Sequence, residues 1–254
     1  MKCDSISYFS IFKGLLSIGD KVYPVTDRQK KFLESFVFKQ EIKGIHGHYL
    51  SAEKLNKKLI REGLETINST SRQVVGVFDM VPKLLGENFP VVYNKFKSTI
   101  VKSFSFFTIK GSSLPYMEIF LEDNLTLCIM EVKKIFKKDI VAMILSIEKK
   151  KKKEIDNIDY VVIPEIDFKN IEKINWVKGI KSGENIIQNV ICYNRLKIVS
   201  ENESIVPKGI NYKVKYSFVF YLKKRCIELP LIMGYIDKST FIKEQNYSIY
   251  KIFK

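Results

Sequence analysis

The stretch YMEIFLEDNLTLCIMEVK, residues 116–133, constrains the fold more than any other part of the chain. Two apolar runs flank Glu122-Asp123-Asn124. Apolar runs on either side of an Asp-Asn tip predict a β-hairpin, with strands over 116–121 and 125–133. The second run ends in Glu131-Val132-Lys133. Residues i and i+2 of a strand point to one face, so Glu131 and Lys133 are expected to project together. Glu118 opens the first strand and is expected to lie beside them across the hairpin.

That trio suggests a chemistry. Two carboxylates, Glu118 and Glu131, joined by the main-chain carbonyl of Val132, make an oxygen donor set suited to Mg²⁺. The ion would polarise a phosphate and activate water, and Lys133 would orient that water or stabilise developing charge. The plainer alternative is a solvent-facing ion pair at a strand end, worth about 0–1 kcal/mol.

With those residues in view, the segment resembles the core of the PD-(D/E)XK nuclease superfamily, which includes restriction endonucleases and archaeal Holliday-junction resolvases. Glu118 matches the first acid of that pattern, and Glu131 and Lys133 match its Glu-X-Lys. Glu87, in GENFPVVYNKFKSTI, matches loosely the further acid carried on an upstream helix. One departure is clear: Met117-Glu118 stands where the family has Pro-Asp. The resemblance spans roughly residues 86–200. It implies a restriction-endonuclease-like α/β fold with a mixed central sheet flanked by helices, and Mg-dependent hydrolysis of DNA phosphodiester bonds. Cutting both strands of a duplex further implies a homodimer.

The flanking segments read in the same direction. A short helix is expected over 5–16. A second starts at Thr26 or Asp27, with Phe32, Leu33, Phe36 and Val37 at helical spacing. A third has Ser51 as N-cap and Leu55, Leu59 and Ile60 on one face. A further helix is expected over 69–82, ended by Pro82. This outline suggests a helical module over 1–85, of helix-turn-helix or winged-helix type, or else a plain helical cap. In the first case Arg72 and Gln73 would face base edges, with Lys95 and Lys97 as further nucleic-acid contacts. Residues 86–254 then form the nuclease-like domain. Its expected order is a helix and a strand over 86–109, the hairpin, a helix from about 135 and a strand over 159–164, with C-terminal strands extending the sheet. A non-catalytic winged-helix DNA-binding protein, such as a plasmid replication initiator or regulator, fits the same outline.

Charge is compatible with both. The chain of 254 residues carries 43 Lys+Arg against 28 Asp+Glu, a net charge of +15. That excess points to a polyanion such as DNA, although an AT-rich genome loads proteins with lysine in the same way. The five lysines 149–153 read as a solvated helix end. His46 and His48 have no cysteine or third histidine near them, and the four cysteines lack metal or redox spacing. No run reaches the ~18–20 apolar residues of a membrane span, and the N-terminus lacks a cleavage site. The expected location is cytoplasmic.

Overall fold

The computed structural model describes residues 3–19, 22–35, 41–110, 115–132, 140–150, 152–182, 184–200, 208–225, 227 and 229–243. The principal layer is a seven-stranded sheet whose neighbours are all antiparallel. Its order is β1 (Cys3–Ile6), β18 (Ile232–Ile236), β17 (Phe218–Lys224), β9 (Leu125–Glu131), β8 (Tyr116–Leu121), β7 (Phe104–Ile109), β10 (Lys152–Glu154). A four-stranded sheet faces it, in the order β12 (Ile166–Lys173), β15 (Val190–Ile198), β4 (Arg72–Met80), β3 (Ile45–Ser51). There β15 and β4 run parallel, while the outer pairs are antiparallel. A second four-stranded sheet has the order β16 (Asn211–Lys213), β11 (Tyr160–Pro164), β6 (Phe96–Val101), β5 (Asn88–Tyr93). A small third group joins β14 (Asn185–Ile186), β13 (Lys181–Ser182) and β2 (Val22–Tyr23).

The hairpin β8–β9 forms as its pattern predicts. Asp123 and Asn124 both take φ of 58°, the left-handed pair a primed turn requires and that Asp and Asn tolerate. Three helices carry side-chain caps at their starts, two of them at positions the sequence offered, Thr26 and Ser51, while the first helix begins after β1 rather than at residue 5. α1 (Tyr8–Leu16) is capped by Ser7, α2 (Asp27–Glu34) by Thr26 and α3 (Ala52–Arg61) by Ser51, each side chain accepting a main-chain N–H three residues on. α4 (Ile140–Lys149) buries Ile144 and Ile147.

Two other expectations are overturned. Residues 72–80 form β4, not a helix, so the described residues among the first 85 form no helix-turn-helix or winged-helix module. Val74, Val75, Val77 and Phe78 are β-branched or aromatic, and a strand buried on both faces shows no alternation to distinguish it from a helix. Residues 88–101 likewise form the hairpin β5–β6 rather than a helix and a strand. Its turn is Asn94-Lys95, with φ of 51° and 67°. The mixed α/β arrangement of a restriction endonuclease is therefore replaced by stacked, mainly antiparallel sheets with few helices. A division at 85/86 does not separate these sheets: β1 pairs with β18, β2 with β13 and β4 with β15.

The main core lies between the seven-stranded sheet and its partners, with Ile119, Leu127, Phe218 and Phe220 meeting Phe78, Leu196, Val161 and Ile163. α4 covers the opposite face of the large sheet, against Tyr116, Met130, Val219 and Tyr221. The sheet β12-β15-β4-β3 is also covered twice. α1 sits on its inner face through Ile11 and Leu15, and α3 on its outer face through Leu55 and Leu59. α1 comes so near that Gly47 and Gly76, cross-strand partners, have no room for a side chain. A methyl group would lie 2.0 Å from the Lys13 carbonyl oxygen at Gly47 and 2.3 Å from that of Ser10 at Gly76.

Candidate functional site

The residues expected to bind magnesium do not come together. The ladder pairs Glu118 with Cys128, which places Glu118 on the face carrying Tyr116, Met130 and Tyr221. Glu131 is three residues beyond Cys128 and so points to the opposite face. Glu131 is 1% exposed, and its acceptor capacity is engaged. One oxygen accepts the main-chain N–H groups of Lys215 (2.6 Å) and Tyr216 (2.7 Å), and the other accepts the Tyr212 hydroxyl. Burial, reinforced by the Glu131 carboxylate, holds the Tyr212 phenol far above its usual range. Glu131 thus pins the chain after β16 to the end of β9. Val132 is buried, and its N–H donates to the Ser217 carbonyl at 2.8 Å. Lys133 lies outside the described residues. Glu87 is an exposed partner of Lys102 at 2.5 Å, just ahead of β5 and outside the described helices. The basis for a shared Mg²⁺, two acids converging across one hairpin, is absent.

Glu118 instead belongs to a polar cluster that sequence reasoning did not find. It accepts the Tyr116 hydroxyl at 2.6 Å, and that hydroxyl meets the Tyr221 hydroxyl at 2.9 Å. Tyr221 donates onward to Glu148. Lys223 lies 3.0 Å from Glu118 and 3.5 Å from Glu148, and Lys152 lies 3.7 Å and 3.6 Å from the same two acids. Burial pushes Glu118 up, but the Tyr116 hydroxyl and the two ammonium groups outweigh it and leave its carboxyl below the usual range. Burial likewise pushes the neighbouring Cys128 thiol up to about 12. The ligand atoms of Glu118, Cys128 and Glu148 fall within 4.8 Å of one another. Two lysines already supply the positive charge there, and a protonated thiol is a poor ligand. The cluster is a neutralised brace between α4 and the sheet. A partial signal is Tyr116-x-Glu118 and Tyr221-x-Lys223, i, i+2 pairs on the two strands that flank β9. Lys152, expected in a solvated run, is part of it and largely buried.

A second polar cluster lies where α1 meets β15. Ser7 Oγ donates to the Leu231 carbonyl (2.6 Å), Ser10 Oγ meets Cys192 Sγ (3.1 Å), and Cys192 donates to Asn194 Oδ1 (3.0 Å). Asn194 Nδ2 donates to the Ser5 carbonyl at 2.9 Å. Neither serine has a base beside it, and burial raises the Cys192 thiol, so nothing here is an activated nucleophile. The cluster locks β15 to β1 and the helix start.

The expected nucleic-acid contacts scatter. Arg72 begins a strand and stacks over the Tyr49 ring at 5.3 Å. Gln73 is 1% exposed and its Nε2 donates to Ser69 and to the Ser71 carbonyl, so it reads no base. Lys95 and Lys97 lie on the β5–β6 hairpin, in a different sheet.

The most distinctive feature is the β4–β15 pair. The two parallel strands are in register from Val74 with Val190 to Met80 with Leu196. After Ile198 the chain leaves this sheet for β16, which pairs with β11 in another. Known proteins arrange their chains alike. No family model matches this sequence, and neither does any curated protein. Among solved structures, mouse protein-Z dependent protease inhibitor superposes with a TM-score of 0.57 at 10% identity, over 93% of this chain and 91% of that one. Serpin48 of the insect Tenebrio molitor, described as a highly specific serpin, gives 0.52 at 11%, over 93% and 92%. The fold is the serpin fold. Human thyroxine-binding globulin complexed with thyroxine has it too, at 0.55 and 9% identity over 92% of this chain and 91% of that one. This finding replaces the nuclease resemblance, and with it the Mg-dependent deoxyribonuclease, the DNA partner and the winged-helix regulator. The homodimer was inferred from double-strand cutting and loses that reason. Among the described residues, no helix is long and apolar enough to cross a membrane.

Proposed function

We propose that this serpin-fold chain acts by binding, without bond-breaking chemistry of its own and without trapping a protease by loop insertion. Trapping on this fold adds a segment as a new strand within the sheet and releases stored strain. Here that strand would have to enter between β4 and β15, and the observation that carries the reading is the length of chain available to supply it. The segment available is short. Residues 199–210 connect β15 to β16, and Ile210 is tied at its end, exchanging main-chain and side-chain bonds with Asp159. A strand matching β15 needs about nine residues, about 30 Å, plus a reversing turn, which leaves nothing to present to a protease.

The test is cleavage. Trypsin at low ratio is expected to cut after Lys208, which is exposed, giving no detergent-stable complex and no gain in Tm. A covalent complex, or a nicked protein melting tens of degrees higher, overturns the reading. A second reading has one observation behind it: exposed Lys208, Gly209 and Ile210 at the end of the connection could occupy a trypsin-like protease as a slowly cut substrate. Its signature in the same assay is inhibition that fades as the connection is cut. Among the described residues, the buried free thiols Cys128 and Cys192 fit a reducing compartment such as the cytoplasm.

A further inference from the structure

The outer face of the sheet β15-β4-β3 is not filled by the helix that covers it. A cavity of about 310 Å³ remains between α3 and the strands, at the lower end of the range for small-molecule sites. Its walls are Leu50, Leu55, Leu59, Val75, Val77 and Tyr193. The strand register explains this wall. His48 pairs with Val75, and Ile191 and Tyr193 with Val75 and Val77, so one face of three strands supplies it. α3 contributes Leu55 and Leu59, one turn apart.

The rim carries charge of both signs, but the signs are not equally available. Glu62 is held by Lys169 at 2.9 Å and by the Tyr193 hydroxyl at 3.4 Å, and Asp79 by Arg195 at 3.6 Å. Lys169 and Arg195 are not part of the lining. Lys58 and Arg61, which are, make no ion pair among the described residues. His48 also faces the cavity, and burial, then Lys58, then His46 lower its pKa. The excess at the mouth is therefore two cations over an apolar floor. An apolar ligand body would complete the packing that α3 leaves open, and an anionic head would meet the two cations that make no ion pair among the described residues.

We propose that this cavity binds a compact amphiphile with an apolar body and a single anionic head, seated against Lys58 and Arg61. The proposal rests on the binding reading above and names its ligand class. It is tested on the full chain by calorimetric titration with decanoate and decanol, both below their aggregation limits. Decanoate is expected to bind at one site per chain, with decanol about tenfold weaker. Lys58→Ala with Arg61→Ala is expected to weaken decanoate about tenfold and leave decanol unchanged. Both positions are exposed, so these variants stay folded. Leu50→Trp, or Val77→Trp if the first fails to fold, is expected to abolish binding of both by filling the space. No saturable binding overturns the proposal. Equal affinity for acid and alcohol, or binding that survives a folded tryptophan variant, overturns it as well. None of these failures bears on the cleavage test, so a wrong ligand class and a wrong binding reading remain distinguishable.

Discussion

Replacing Glu131 separates a structural acid from a catalytic one. Glu131 is nearly inaccessible and accepts three hydrogen bonds, two from main-chain N–H groups. In Glu131→Ala those two N–H groups lose their acceptor in a partly buried site, and the Tyr212 hydroxyl loses its partner. Each unsatisfied donor costs about 1–3 kcal/mol, and bonds to a charged acceptor lie toward the upper end. Local water can rescue part of this, so a loss of about 2–4 kcal/mol is expected. For a chain of this size that lowers Tm by on the order of 5–15 °C. Glu131→Gln keeps an oxygen for the two N–H groups and is expected to lose less than half as much. Thermal unfolding followed by circular dichroism measures both, with Glu87→Ala, an exposed ion-pair partner, as a control expected to melt like the parent. An alanine variant as stable as the parent would refute this account of Glu131, because an acid dispensable for folding is what a functional site contains.

The remaining expectations concern the helix–sheet contact and acid. Gly76→Ala puts a methyl group 2.3 Å from the Ser10 carbonyl oxygen and 2.7 Å from the Ile11 nitrogen, both main chain. α1 must then move by about an ångström, at a cost of about 1–3 kcal/mol, and urea denaturation should show a lower midpoint. An unchanged midpoint would mean that α1 does not sit where described. Glu118 has a folded pKa below its unfolded value, so its contribution is complete above about pH 4.5 and is lost as pH falls through the folded value. Stability curves between pH 6 and pH 3 should fall less steeply for Glu118→Gln than for the parent; parallel curves would contradict the assignment.

What the chain announces by itself is local. Thr26 and Ser51 precede helical spacing and do cap helices, because a cap is decided within four residues. Leu121 to Leu125 turns where Asp123-Asn124 allows left-handed φ, for the same reason. Residues 72–80 carry no such decision: a run of valines, a glycine and a phenylalanine fits a helix or a doubly covered strand, and pairing with β15, more than a hundred residues away, settles it. The hairpin was legible, yet its chemistry was not. Glu118 and Glu131 occupy the expected strands, but a thirteen-residue separation read through the actual register puts them on opposite faces. Tyr116, the i, i+4 pair Glu148 and Lys152, and Lys223 meet only because three segments distant in sequence stack, and no spacing within one segment encodes which others it meets. Helix caps and turns follow from forces acting over a few residues. Faces, clusters and the cavity beneath α3 follow from which strands become neighbours, and only the folded chain makes that choice.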